Sequence, residues 1–293
     1  MPQVSSAHAQ PAHSVVGAAL WMLGAVGSLT AMAVAGRELS SELSTFQILF
    51  FRSFIGLTVV SALVQRVGWP RIETHRFGAH AARNVAHFAG QYGWFFGIAL
   101  IPLTEVFAIE FTTPLWTALL AALLLGEQLT RLRVLGTLLG FVGTLVILRP
   151  GLDAVSIGAL AVLGAAFAYA FAHTMTKRLS STESPLTILF YMTALQLPLG
   201  LIPALAQGWV WPSAHAWPWV LVVSLCGLIG HYCLARAFRL GDASVVVPID
   251  FVRLPLVAFV GYLLYREPLD PWVVIGAAIV VAGTWLTLRS ARI

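Results

Sequence analysis

From about its fourteenth residue to its end the chain alternates long apolar stretches with short polar breaks. A run of about 20 apolar residues is what a helix needs to cross a hydrocarbon core of about 30 Å. Ten such runs are legible, at roughly 14–36, 44–65, 79–99, 104–125, 132–148, 156–176, 185–206, 217–235, 243–264 and 271–288. The pattern predicts an all-α membrane protein with ten transmembrane helices. The connections are too short for a separate soluble domain, so the chemistry must lie among the helices. Residues 1–13 contain no Lys or Arg, and the first apolar run is too long for a signal-peptide core. The first helix is therefore expected to stay in the mature protein.

A second pattern lies over the first. Residues 90–94 read GQYGW and residues 230–234 read GHYCL, 140 positions apart. At the same offset Phe111/Phe251, Glu127/Glu267, Gly136/Gly276, Gly143/Gly283 and Arg149/Arg289 coincide, and LSSELSTFQILFF (39–51) lies over LSSTESPLTILFY (179–191). Shared Gly, Tyr and Glu at one offset point to an internal repeat: a first five-helix unit over 1–149 and a second over 150–293. Five spans is an odd number, so the second unit starts on the opposite side of the membrane and the halves are inverted. Inverted halves suit alternating access around a central cavity near the midplane.

Composition agrees with a membrane setting: 59% hydrophobic, 10% charged, mean hydropathy +0.86, against about one quarter charged in soluble domains. The formal charge of +5 reads as topology rather than nucleic-acid binding. If the spans alternate, Arg66, Arg71, Arg76, Arg131, Arg133, Lys177, Arg178, Arg236, Arg239, Arg289 and Arg292 share one side, and only Arg37, Arg149 and Arg266 take the other. The positive-inside rule then puts both termini in the cytoplasm. Cys226 and Cys233 lie seven residues apart on one predicted helix, a spacing that forbids a bond between them, and no His/Cys cluster suggests a metal.

With two five-helix halves, GE-x-L at 126–129 and its echo RE-P-L at 266–269, the chain resembles the drug/metabolite transporter superfamily, specifically its ten-helix EamA-type members. The resemblance implies a basket of helices around a cavity. Spans one, three, four, six, eight and nine would line it, with five and ten to the side. It also implies transport of small metabolites, with bacterial export of amino acids, aromatic ones included, as the leading expectation.

Candidate residues follow from the cost of polar groups in lipid. On span three, Asn84, His87, Gln91 and Trp94 fall on one face, while Arg83, near one end, is expected to snorkel. His231 and Tyr232 on span eight are in register with Gln91 and Tyr92. Glu110 and Asp250 are 140 apart on spans four and nine, and Asp250 can pair with Arg253 at i,i+3. Glu110 lacks that partner, since Thr113 stands where span nine has Arg253, and Arg52 is its candidate counter-ion. These groups read either as structural ion pairs or as gates and ligands for a zwitterion. Trp94, Trp116, Tyr92 and Phe96 offer aromatic faces that serve packing or stacking equally. Glu127 and Glu267 read as capping residues, and the glycines of spans five and ten as close-packing positions.

No GxxxxGK[ST] motif is present, and no HExxH pair or evident nucleophile and base, so neither ATP hydrolysis nor intramembrane enzymology is expected. The expectation is a monomeric secondary transporter of a bacterial-type inner membrane. It would need no cofactor or metal and would have a small-molecule substrate and membrane lipid as its only partners, with no nucleic acid. Uptake of a nucleoside-like or vitamin-like solute is the alternative, and a channel a lesser one.

Overall fold

A computed structural model describes residues 14–101, 103–148, 156–265 and 271–290. Glu267, Arg266 and Arg149 lie outside the described residues. The described helices are α1 (Val15–Leu39), α2 (Thr45–Val67), α3 (Phe77–Leu100), α4 (Leu103–Glu110), α5 (Thr113–Leu125), α6 (Arg131–Leu148), α7 (Ile157–Ser180), α8 (Pro185–Ala206), α9 (Trp217–Leu240), α10 (Ala243–Val246), α11 (Arg253–Tyr265) and α12 (Pro271–Ser290). They make ten helical passes, because α4 and α5 share one pass and α10, a 3₁₀ segment at Val247–Val252 and α11 share another. Five of them, α1, α2, α7, α8 and α9, are each long and apolar enough to cross a membrane.

Local sequence explains the ends. Ser14, Ser44, Ser156 and Ser184 each accept a bond from the backbone N–H three residues on, at the starts of α1, α2, α7 and α8, satisfying donors that helix geometry orphans. Ser44 and Gln47 complete a reciprocal capping box. The SSELS and SSTES turns therefore match because both must start a helix abruptly.

The two broken passes were not foreseen. Pro114 stands at the start of α5, where it has no N–H for the Glu110 carbonyl and its ring crowds that turn. The chain answers with tighter bonds, Thr112 N–H to Ile109 O at 3.0 Å and Thr112 Oγ1 to the same oxygen at 2.8 Å. In the partner pass, Pro248 falls inside the 3₁₀ stretch and Pro255 inside the first turn of α11. Glu110, Asp250 and Arg253 all sit at these two breaks.

The main helix neighbours are α1 with α9, α3 with α7, α2 with α8 and α6 with α12. Each pair joins one half of the chain to the other. Small residues make the approaches possible: a Cβ at Gly283 would lie 2.6 Å from the Gly136 carbonyl oxygen, and one at Gly143 2.8 Å from that of Gly276. These glycines pack α6 on α12 within the chain. The glycines of GQY and GHY do the same elsewhere. Gly90 leaves room for the Tyr169 ring of α7 and Gly230 for Leu29 of α1, and 29 and 169 are themselves 140 apart.

Aromatic and aliphatic side chains such as Phe95, Phe107, Phe111 and Phe251 fill the centre. Leu20, Leu123, Ile157, Ile202 and Val274 project outward, the surface a bilayer requires. At one end of the bundle the Glu127 carboxylate accepts from the backbone N–H groups of Ala243 (2.9 Å) and Ser244 (3.0 Å) and from Ser244 Oγ (2.6 Å). Glu127 is thus a cap, but of α10 in the other half rather than of its own turn. Arg133 reinforces it through Asp242 and Ser244, each at 3.0 Å.

Candidate functional site

The centre of the bundle holds a cavity of about 50 Å³. It is lined from α1 by Leu29 and Met32, from α3 by His87, Gln91 and Trp94, and from the α4–α5 pass by Glu110 and Thr113. Tyr169 and His173 of α7, His231 of α9, and Asp250 and Arg253 of the second broken pass complete the wall. At about 10–15 Å³ per water the space holds a few waters and no metabolite. A ligand requires the helices to part.

The wall has two chemically distinct ends. At one, Arg253 Nη2 donates to Glu110 Oε1 and lies 2.9 Å from Asp250 Oδ2. Trp94 Nε1 donates to Glu110 Oε2 at 2.6 Å, and the guanidinium carbon lies 5.6 Å and 5.5 Å from the Phe107 and Phe111 ring centres, in cation–π range. One buried cation is therefore shared by two carboxylates from the two breaks. At the other end the His87 and His231 rings meet edge to face at 4.6 Å, with Tyr169 5.7 Å from His87 and His173 stacked 6.3 Å beyond Tyr169.

Several polar atoms on this wall lack a hydrogen-bond partner among the described residues: Gln91 Oε1, His173 Nδ1, His231 Nδ1 and Asp250 Oδ1. Each such atom buried unmade costs about 1–3 kcal/mol. Wall atoms of this kind are poised for a ligand or for water.

The sequence candidates divide accordingly. His87, Gln91, Trp94, Glu110, His231, Asp250 and Arg253 come together on the wall. Tyr92 stacks on Phe46 at 4.5 Å, Tyr232 packs edge-on to Trp21 at 5.8 Å and is partly exposed, and Trp116 packs on Phe167 at 5.7 Å. None of these three reaches the cavity. Tyr92 and Tyr232 each follow a lining residue, Gln91 and His231, by one helix step of about 100°, and so face a neighbour instead.

Two expectations need correction. The cation at Glu110 is Arg253, not Arg52, because the broken passes bring 110 and 253 together across the halves. Arg52 instead donates to Gln196 Oε1 at 3.3 Å and lies 3.9 Å from Met32 Sδ. Arg83 does not snorkel. It is buried, donating to Thr176 Oγ1 at 2.9 Å and to Asn84 Oδ1 at 2.8 Å.

Tyr169, His173 and Gln196 were not singled out in the sequence. The first two form an i,i+4 polar pair in an Ala-rich helix, which was the available signal. Their counterparts 140 residues earlier, Leu29 and Ala33, are apolar, and the repeat pointed away from them.

The model of one family, described as the EamA-like transporter family, matches residues 16–149 and again residues 156–289. The chain belongs to the EamA-like transporter family. It is accordingly a multi-pass membrane protein and a secondary transporter, not an enzyme. The double match places one family unit in each half of the sequence. Among its relatives, an S-adenosylmethionine uptake transporter of Rickettsia bellii is 28% identical over 93% of this chain and 93% of its own length. A riboflavin transporter of Vibrio cholerae is 29% identical, covering 96% of this chain and 97% of its own. The pseudopaline exporter CntI of Pseudomonas aeruginosa is 27% identical, covering 87% and 90%. A solved crystal structure superposes with a TM-score of 0.81 at 19% identity, covering 94% of this chain and 97% of that one, a likeness of fold.

Proposed function

We propose that this family member carries a small zwitterionic metabolite, an amino acid or a molecule with an amino acid head group, through the central cavity by alternating access. The observation that carries the reading is the wall with carboxylates at one end, imidazoles at the other and unpartnered polar atoms on both. S-adenosylmethionine, the solute named for one relative, has such a head group. Amino acid export is our preferred form. Uptake of a vitamin-like solute is the second reading, favoured by the riboflavin transporters among the relatives.

In this proposal residues 1–149 and 150–293 are inverted five-helix repeats in an inner membrane, with both termini cytoplasmic, and the protein works as a monomer. Exchanging the halves turns the α1·α9 pair into α7·α3 and returns α2·α8 and α6·α12 to themselves, the pattern expected of a pseudo-twofold.

Counterflow tests the proposal. Purified protein in liposomes loaded with unlabelled amino acids is expected to accumulate labelled amino acid, and a His87→Ala/Gln91→Ala variant to accumulate at least about tenfold less, the effect of losing about 1.4 kcal/mol of binding. No accumulation across a broad amino acid panel, with riboflavin accumulated instead, moves the assignment to the second reading.

A further inference from the structure

Arg52 and Arg83 are both almost fully buried, 4% and 2% exposed, and neither meets a carboxylate among the described residues. Arg253, by contrast, has two. Cations inside a membrane bundle are costly and are normally paired. Arg52 is instead wired, through the Gln196 amide, to the imidazole end of the cavity, and Arg83 is held beside that amide by Asn84 and Thr176.

The wiring has a direction. Gln196 Oε1 accepts from Arg52, so its Nε2 faces the other way, donating to His87 Nδ1 at 2.9 Å and to Asn84 Oδ1 at 3.0 Å. Asn84 Oδ1 also accepts from Arg83 Nη1, and Asn84 Nδ2 donates to the His80 carbonyl at 2.9 Å. With Nδ1 of His87 accepting, its proton sits on Nε2. A guanidinium that polarises an amide which in turn bonds an imidazole makes the far N–H a stronger donor. That donor belongs to a ring on the cavity wall, beside His231. Gly227, one turn before His231, gives the Arg52 side chain room, since a Cβ there would lie 3.2 Å from Arg52 Cδ and 3.3 Å from Met32 Sδ, a tight contact.

We propose that the His87–His231 end of the cavity is an anion subsite, taking the carboxylate of the transported solute, with Arg52 as the positioning residue that supplies its charge preference through Gln196, while Arg83 holds Asn84, whose Oδ1 keeps the Gln196 amide turned toward His87. The transport reading is assumed here, and the inference adds which end of the solute goes where. The carboxylate lies at the imidazoles, and the ammonium lies toward Asp250 Oδ1. The halves are unequal in this respect. Met192 and Gly56 stand where the repeat would place partners equivalent to Arg52 and Gln196, so the cavity has one anion end rather than two.

The test is a melting-temperature titration of the purified full chain in detergent with matched pairs: L-phenylalanine and L-phenylalaninamide, L-methionine and L-methioninamide, nicotinate and nicotinamide. In each pair only the carboxylate is removed. For at least one pair the wild type is expected to bind the acid about tenfold or more tightly than the amide, about 1.4 kcal/mol. Arg52→Gln is expected to abolish that ratio while leaving the ligand-free melting temperature equal or higher, because it removes an unpaired buried charge. Equal binding of acids and amides by the wild type overturns the proposal. So does full acid preference in R52Q, or a large fall in its ligand-free melting temperature with the preference intact, which is the mark of a structural role.

If R52Q does not fold, R52M decides. It removes both the charge and the single Nη2 bond to Gln196, and a preference undiminished there overturns the relay. Acid preference without counterflow would sink the transport proposal and leave the subsite. Counterflow with no acid preference would do the reverse.

Discussion

Glu110 holds two donors of different kinds, the indole N–H of Trp94 and the guanidinium of Arg253. Removing the carboxylate charge leaves Arg253 with Asp250 alone. Glu110→Gln is expected to destabilise the fold by about 3 kcal/mol, the scale on which breaking a buried pair exceeds making it. Replacing all three partners, Glu110→Gln and Asp250→Asn with Arg253→Met, is expected to recover much of that loss without recovering transport. Thermal unfolding in detergent reads the first effect and counterflow the second. A triple variant that transports normally would make the cluster purely structural. The α3 stripe behind these contacts was legible because spacings of three and four put Asn84, His87, Gln91 and Trp94 on one face. The partners of that stripe were not. Gln196 lies in α8, a helix that contributes nothing to the cavity wall, and only the packed structure shows that its amide reaches His87.

At the level of single elements, hydropathy saw ten passes and missed that two are broken. A hydropathy window averages side chains and carries no information on backbone hydrogen bonds. The prolines carried it: Pro114, Pro248 and Pro255 each remove a donor where a continuous helix needs one. Broken passes can exist at membrane depth because protein surrounds them. Here Phe111 and Phe251, one at each break, lie with ring centres 5.7 Å apart. The glycines of α6 and α12 were read correctly as close-packing positions, and their seam makes a prediction. Gly283→Leu drives a side chain into the Gly136 carbonyl and Gly140 N–H, both 2.6 Å from a Cβ at that site. It is expected to cost about 1–3 kcal/mol. The measurement is the melting temperature together with the monodisperse yield on size exclusion. An unchanged value would mean that the seam opens freely.

Across the whole molecule, the eight unbroken passes each find their main neighbour in the other half. Residues 1–149 and 150–293, expressed as separate chains, are therefore expected to yield little stable protein alone and to assemble when made together. Co-purification of an untagged half with a tagged one measures this. Either half folding stably alone would mean that the contacts between halves are dispensable. The Glu127 cap on α10 belongs to the same scale. The GE-x-L signature was visible in the sequence as a turn, but its target, 116 residues away at Ala243, was not, since a carboxylate at a turn gives no sign of which helix start it will meet.

The interleaving also sets a timetable. α1 is complete at residue 39, and α9, against which it packs, begins at residue 217. At about 5–20 residues per second roughly ten to forty seconds separate their arrivals in the bilayer. Within that interval, until α7 is complete at residue 180, the His87 and Gln91 stripe of α3 faces no finished partner. The newborn half must be shielded until the second half arrives, and slower translation lengthens its exposure to quality-control proteases.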